Sequence, residues 1–131
     1  MSDKRAVRTE SAPAPFQGAP YSQGIVAGDL VFVSGQLGID PAIGQVVEGG
    51  IVPQTEQVMR NLAAILAEAG VTLDDVVMTS IFLIDLQDFQ AMNEVYASHL
   101  SEPYPARATV QIAALPSGAR IEMAVVARRG G

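Results

Sequence analysis

The stretch from residue 76 to 84, Val-Val-Met-Thr-Ser-Ile-Phe-Leu-Ile, constrains this chain more than any other. β-Branched and aromatic residues crowd it, which is the composition of a strand. Side chains of a strand alternate between the two faces of its sheet. Val76, Met78, Phe82 and Ile84 would point one way, and Val77, Ile81 and Leu83 the other. Both faces are apolar, so a sheet holding this strand at its centre must be covered on both sides.

The rest of the chain offers several strands but few helices. Residues 21–27 and 30–34 read as a hairpin around Gly28-Asp29, and residues 108–113 and 120–128 as the last two strands. Residues 5–9 could add one more. Residues 35–50, punctuated by glycines and Asp40-Pro41, read as a long loop and a site wall. Helical period occurs twice. Pro53 opens a helix that runs to about residue 69 and stops at Gly70. Val58, Leu62, Ile65, Leu66 and Ala69 line one side of it. Residues 86–100 form the second, with Phe89, Met92, Val95 and Tyr96 together and Pro103 and Pro105 beyond its end.

The order β–β–α–β–α–β–β predicts one α+β domain over residues 1–131, a two-layer sandwich with two helices on one face of a mixed sheet. Residues 1–15 are expected to be a flexible or peripheral N-terminal segment. Ile121, Met123, Val125 and Ala127 should face the helices, as should Ala108, Val110 and Ile112. Arg120, Glu122, Ala124, Val126 and Arg128 would face away, with Arg107, Thr109 and Gln111. Two helices cover only one side. A second subunit is the simplest cover for the other, so a homo-oligomer is expected.

Residue counts exclude several chemistries. The net charge is −6, and five of the eight lysines and arginines lie near the ends, which disfavours nucleic acid. With no cysteine there is no disulfide, thiolate nucleophile or cysteine-bound zinc. The only lysine, Lys4, lies near the N-terminus, a poor place for a desolvated Schiff-base amine. His99 is the only imidazole, which rules out histidine-rich metal sites. No metal and no cofactor are expected. Phosphate-loop, dinucleotide and serine-elbow motifs do not occur. The N-terminal residues lack the apolar stretch of a secretory signal, and no apolar run is long enough to span a membrane, so a cytoplasmic protein is expected.

Alternation places Arg107, Thr109 and Glu122 on like faces of two strands expected to be neighbours. Arginine offers a fork of donors matched to a carboxylate. A partly buried glutamate beside it can hold a water or pass a proton. The more common arrangement of such residues is a structural Arg–Glu ion pair at a subunit interface, with no substrate. The Glu122 pKa should fall if Arg107 pairs with it and rise if burial dominates. Tyr21, at a loop-to-strand junction, reads either as a phenol donor or as an ordinary half-buried tyrosine. His99 suits a helix C-terminus, and Asp74, Asp75, Asp85 and Asp88 suit turns and helix starts.

The run Pro105-Ala106-Arg107-Ala108-Thr109-Val110-Gln111-Ile112-Ala113-Ala114-Leu115, followed five residues later by Ile121-Glu122-Met123, resembles the C-terminal signature of the Rid/YjgF family. Gly18-Ala19-Pro20-Tyr21-Ser22-Gln23-Gly24, Ser34-Gly35-Gln36 and Met92-Asn93-Glu94-Val95-Tyr96 are similar to other stretches of that family, in the right order over nearly the whole chain. The resemblance implies a chorismate-mutase-like fold and a homotrimer whose sheets form a central barrel, with clefts between subunits. It implies cofactor-free hydrolysis of 2-aminoacrylate and related enamines or imines to 2-keto acids and ammonia. By motif, Arg107 would clamp the substrate carboxylate, Glu122 would orient or activate the water, and Tyr21 would line the pocket. Backbone groups near Gly35 and Thr109 would bind the amine end or the water, and Asn93 would add a polar contact. Many members carry cysteine where this chain has Thr109, which keeps a hydroxyl but no thiol. The alternative is a non-catalytic module that captures a small carboxylic acid and regulates a partner.

Overall fold

The computed structural model describes residues 4–130, so the first three residues of the expected N-terminal segment lie outside the described residues. Along the chain run β1 (Lys4–Val7), β2 (Gly24–Ala27), β3 (Leu30–Leu37), β4 (Ile39–Asp40) and β5 (Gln45–Val46). Then come α1 (Ile51–Glu68), β6 (Val76–Leu83), α2 (Phe89–Ser98), β7 (Ala106–Gln111) and β8 (Ile121–Arg128). Six strands form one sheet in the order β1-β2-β3-β8-β6-β7, and only β6 and β7 run parallel. The sheet is mixed and both helices lie on one face, the expected α+β arrangement. Among the described residues no helix is long and apolar enough to cross a membrane.

The core lies between helices and sheet. Val58, Leu62, Ile65 and Leu66 of α1 and Met92 of α2 are fully buried with Val31, Ile81, Leu83, Ile121 and Met123. Burial of each large side chain contributes roughly 1.5–3 kcal/mol. Helix α1 begins at Ile51, two residues before the proline that marks its start in the sequence. Pro53 still lies in the first turn, where a backbone N–H would have no helical acceptor. The expected loop at 35–50 is more ordered than its glycines suggest: β3 continues to Leu37, and β4 and β5 pair as a ribbon. The buried Asn61 of α1 ties this segment down, donating to the carbonyls of Leu37 and Ile39 at 3.1 and 2.9 Å.

Two facings depart from simple alternation. A register shift between Val76 and Met78 moves Val76 to the helix side with Thr79, Ile81 and Leu83, leaving Met78, Ser80 and Phe82 on the open side. Strand β7 has the opposite facing to the expected one. Arg107, Thr109 and Gln111 pair in parallel register with Thr79, Ile81 and Leu83, so they share the helix side. Ala106, Ala108 and Val110 lie on the open face instead. The reason is position: β7 is the edge strand, and its polar side chains meet the start and flank of α2. Gln111 accepts from the Leu86 N–H at 2.8 Å, and Arg107 lies against Phe89 and Tyr96.

The open face is apolar across its width. One row of partners runs Ala6, Ile25, Phe32, Val126, Met78, Ala106 over all six strands. Phe32 and Val110 are 43% and 46% exposed there. Another row runs Leu37, Glu122, Phe82, Val110, and places one carboxylate in this apolar field.

Candidate active site

The first cluster forms around Arg107 where α2 meets β7. The guanidinium carbon lies 5.4 Å from the centroid of Phe89 and 5.2 Å from that of Tyr96. No carboxylate pairs with Arg107 among the described residues. Asn93, Tyr96, Ala97, Tyr104, Pro105 and Arg107 line an open pocket. Thr109 follows Arg107 on the same side of β7. Asn93 Oδ1 and Thr109 Oγ1 are buried polar atoms with no hydrogen-bond partner among the described residues. Buried polar atoms left unpaired cost stability and recur at functional sites. Three residues carried by motif, Arg107, Thr109 and Asn93, thus fall at one end of the sheet.

The second cluster forms around Glu122 on the open face. In β3 the register shifts between Val33 and Gln36, and Gly35 lies in the irregular segment. A Cβ built on Gly35 would overlap Glu122 Oε2 and stand 2.8 Å from its Cδ. The carboxylate therefore lies over the glycine, in space that any side chain would fill. Ser34 of the same segment is fixed by donating to the Ser22 carbonyl at 2.5 Å. A shallow depression lined by Phe16, Tyr21, Gly35 and Gln36 joins Tyr21 to this cluster. The Tyr21 oxygen accepts the Phe16 N–H at 2.6 Å, which leaves its own proton free to donate outward. Gln23 builds the loop before Tyr21: its side chain accepts from Thr9 N–H and donates to the carbonyls of Thr9, Ala12 and Pro13.

Within one chain the two clusters do not meet. Arg107 faces the helices and Glu122 faces away from them, and β6 lies between their strands. The expected side-by-side Arg107–Glu122 pair on neighbouring strands is corrected accordingly. The electrostatics agree. Burial pushes the Glu122 carboxyl above the usual carboxylate range, and no cation among the described residues opposes it. A folded-state pKa above the unfolded one means that the folded chain holds more protons between the two values, so stability falls as pH rises through that window. For a subunit whose carboxyl faces no cation, Glu122→Gln is therefore expected to melt higher than the parent at neutral pH, and a guanidinium brought by a neighbouring copy would narrow that gain. The gap should close as pH falls below about 4, where the unfolded carboxyl is also protonated. Melting curves across pH check this; a variant less stable than the parent at neutral pH would contradict it.

Most of the other singled-out side chains have structural partners, Asp74 being an exposed turn residue. His99, which caps the C-terminus of α2, contacts Glu56 of α1 at 3.0 Å. Asp75 forms a capping box with Thr72, Asp85 accepts from Gln87 N–H, and Asp88 pairs with Arg120 at 2.9 Å. Sequence reasoning missed Gln23, Thr79 and the role of Tyr96. Phe89 and Tyr96 read as one apolar helix side, and only a partner strand placed beside them shows that they also hold a cation.

The sequence profile of the family described as Endoribonuclease L-PSP matches residues 9–129. A 2-iminobutanoate/2-iminopropanoate deaminase of Capra hircus is 42% identical over 127 residues, 97% of this chain and 91% of that protein. The crystal structure of RidA from an Antarctic Psychrobacter superposes with a TM-score of 0.90 at 45% identity, covering 95% of this chain and 98% of that one. A crystal structure of Escherichia coli TdcF with bound serine superposes with a TM-score of 0.88 at 33% identity, covering 96% and 99% of the two chains.

Proposed function

Since the chain belongs to the Endoribonuclease L-PSP family, the Rid/YjgF family, we propose that it hydrolyses reactive 2-imino and enamine acids such as 2-aminoacrylate to 2-keto acids and ammonia. The observation that carries this reading is the pair of complementary half-sites. Among the described residues one holds an arginine with no carboxylate of its own, the other a half-buried carboxyl with no cation. The deaminase names borne by relatives of this chain point the same way. We further propose a homotrimer in which the apolar open faces are covered by neighbouring copies. Each cleft then brings Arg107, Thr109 and Asn93 of one subunit to Tyr21, Gly35 and Glu122 of the next.

The chemistry needs few parts. An imine carbon is already electrophilic, more so when its nitrogen is protonated, so holding substrate and water together supplies much of the rate. Arg107 takes the substrate carboxylate in a bidentate grip. Glu122, as carboxylate, takes a proton from water as the oxygen adds to the C=N carbon. The neutral acid then returns that proton to the nitrogen of the carbinolamine formed from the protonated imine. As the C–N bond breaks and the C=O bond forms, the carbinol O–H proton passes to Glu122 and on to the released ammonia, giving ammonium, the 2-keto acid and the carboxylate restored. With the Arg107 charge neutralised by the substrate carboxylate, a carboxyl raised by burial suits both steps. The Thr109 and Asn93 oxygens are acceptors for the N–H groups of the imine, and Tyr21 donates to the developing oxygen.

The test links this protein to a PLP-dependent serine/threonine dehydratase with semicarbazide as a trap for free imine. Keto acid should appear faster and semicarbazone should decrease. No acceleration over spontaneous hydrolysis with several 2-imino acids would overturn the reading. The serine-bound TdcF structure favours a second reading, a small-carboxylate binding module. Saturable binding of a 2-keto or amino acid without turnover would select it. A net charge of −6 speaks against the RNA chemistry in the family's description, and no salt-steep RNA binding is expected.

A further inference from the structure

Among the described residues Arg107 has no ion-pair partner. Its guanidinium lies between two rings of α2, 5.4 Å from Phe89 and 5.2 Å from Tyr96, one ring from each end of the helix. Residues seven apart lie on the same helix side, two turns from each other. A carboxylate in this place would occupy the N–H donors that a ligand needs. A ring face attracts the cation through its quadrupole and leaves the N–H groups unspent. The rings also differ. Phe89 is 39% exposed and has no polar handle, whereas Tyr96 is only 6% exposed. The Tyr96 hydroxyl donates to Thr79 Oγ1 at 2.8 Å, and Thr79 is itself 1% exposed. Thr79 is the direct register partner of Arg107 across β6 and β7. The ring beside the guanidinium is thus tied at its far end to the strand neighbour of the arginine it supports.

We propose that Phe89 and Tyr96 are positioning residues for Arg107, and that the Tyr96–Thr79 hydrogen bond fixes the direction in which the guanidinium meets a substrate carboxylate. This rests on the reading that Arg107 clamps that carboxylate. The closed contact among Arg107, Tyr96 and Thr79 sets one guanidinium orientation before the substrate arrives, and preorganisation of this kind lowers the cost of binding. Burial holds the phenol in its protonated form, so the Thr79 bond persists across the working pH range. Leucine at 89 or 96 would keep apolar volume but remove the quadrupole. Phenylalanine at 96 would keep the ring and cut the tether.

The test is binding of 2-ketobutyrate and of its uncharged amide, followed by NMR titration of the intact oligomer. Phe89→Leu and Tyr96→Leu should each weaken the keto acid by about tenfold, and Tyr96→Phe by about threefold, with the amide unchanged. In an Arg107→Ala background the same substitutions should change nothing further. Phe89 is at the surface and Tyr96→Phe is nearly isosteric, so both keep the test open if Tyr96→Leu does not fold. Equal weakening of acid and amide, or losses that add to that of Arg107→Ala, would reduce the rings to packing and overturn the proposal. If Arg107→Ala itself binds the acid like the parent, the clamp falls and this inference with it. If the charge-selective effects appear but no imine is turned over, the deaminase reading fails and the positioning role stands.

Discussion

Arg107→Ala and Glu122→Ala protein, each almost inactive alone, should regain activity when their subunits are mixed. Arg107 and Glu122 lie on opposite faces of one sheet, with β6 between their strands. A single chain with this geometry cannot present both to one substrate. If each cleft takes the carboxyl from one subunit and the guanidinium from the next, a cleft is intact when an Arg107→Ala chain supplies the first and a Glu122→Ala chain the second. In a head-to-tail ring with random mixing that holds for about a quarter of the clefts, and about a quarter of parent activity should return. Each parent variant should retain about 1% or less, because losing a proton-transfer group or a positioning clamp typically costs 100-fold or more. Neither substitution should prevent folding: Arg107 has no ion pair to break among the described residues, and removal of Glu122 relieves a burial cost. Subunits exchanged by unfolding and refolding, with mixed oligomers verified by native mass spectrometry, make the measurement direct. Mixed oligomers that stay inactive would show that the clefts are not shared in this way.

How far the sequence reaches depends on the kind of information a strand carries. The element order is legible because hydrophobic period changes cleanly, from alternation in residues 76–84 to the helical spacing of Val58, Leu62, Ile65 and Leu66. The inward set Ile121, Met123, Val125 and Ala127 is legible for the same reason and is buried as expected. Alternation, however, sorts residues only within a strand. It cannot say which of two polar rows points up. Arg107, Thr109 and Gln111 look like the polar partners of Glu122, yet the edge position of β7 turns them toward α2. Chain neighbours usually pair, but here β6 comes between β7 and β8. The register shift after Val76 changes the phase of the most telling strand, and no turn residue marks it. Motif resemblance reaches what periodicity does not: Tyr21, Gly35 and Glu122 gather in one place, and Asn93, Arg107 and Thr109 in another. The Tyr96–Thr79 hydrogen bond is beyond both, since it links a helix to a strand that only the tertiary fold brings together.

Gly35→Ala should separate stability from activity at the second cluster. The backbone there is outside the left-handed region, so alanine meets no conformational penalty of its own. What its Cβ meets is Glu122: it would overlap Oε2, stand 2.8 Å from Cδ and 3.1 Å from Cγ. No main-chain atom is among these nearest contacts. The free end of the glutamate can swing away, which makes the change cheap for folding. Loss of a glycine also restricts the unfolded chain, worth about 0.4–1 kcal/mol in favour of the variant. The melting temperature should therefore stay near that of the parent. Under the proposed mechanism the displaced carboxyl no longer stands where water meets the imine carbon, and kcat/KM should fall about 100-fold, the scale of a lost proton-transfer group. Gly24→Ala provides the opposite case. Its Cβ would stand 3.0 Å from Ile65 Cγ2 in the core and 3.2 Å from the Phe32 carbonyl, so it should lower stability while the folded fraction stays active. A further check is non-additivity. Once Gly35→Ala has moved the carboxyl, adding Glu122→Gln should cost little more, because both changes remove the same group from the same place. If Gly35→Ala keeps full activity, the seat over the glycine is not where Glu122 works. If the two losses instead multiply, Glu122 acts from a position that Gly35 does not control.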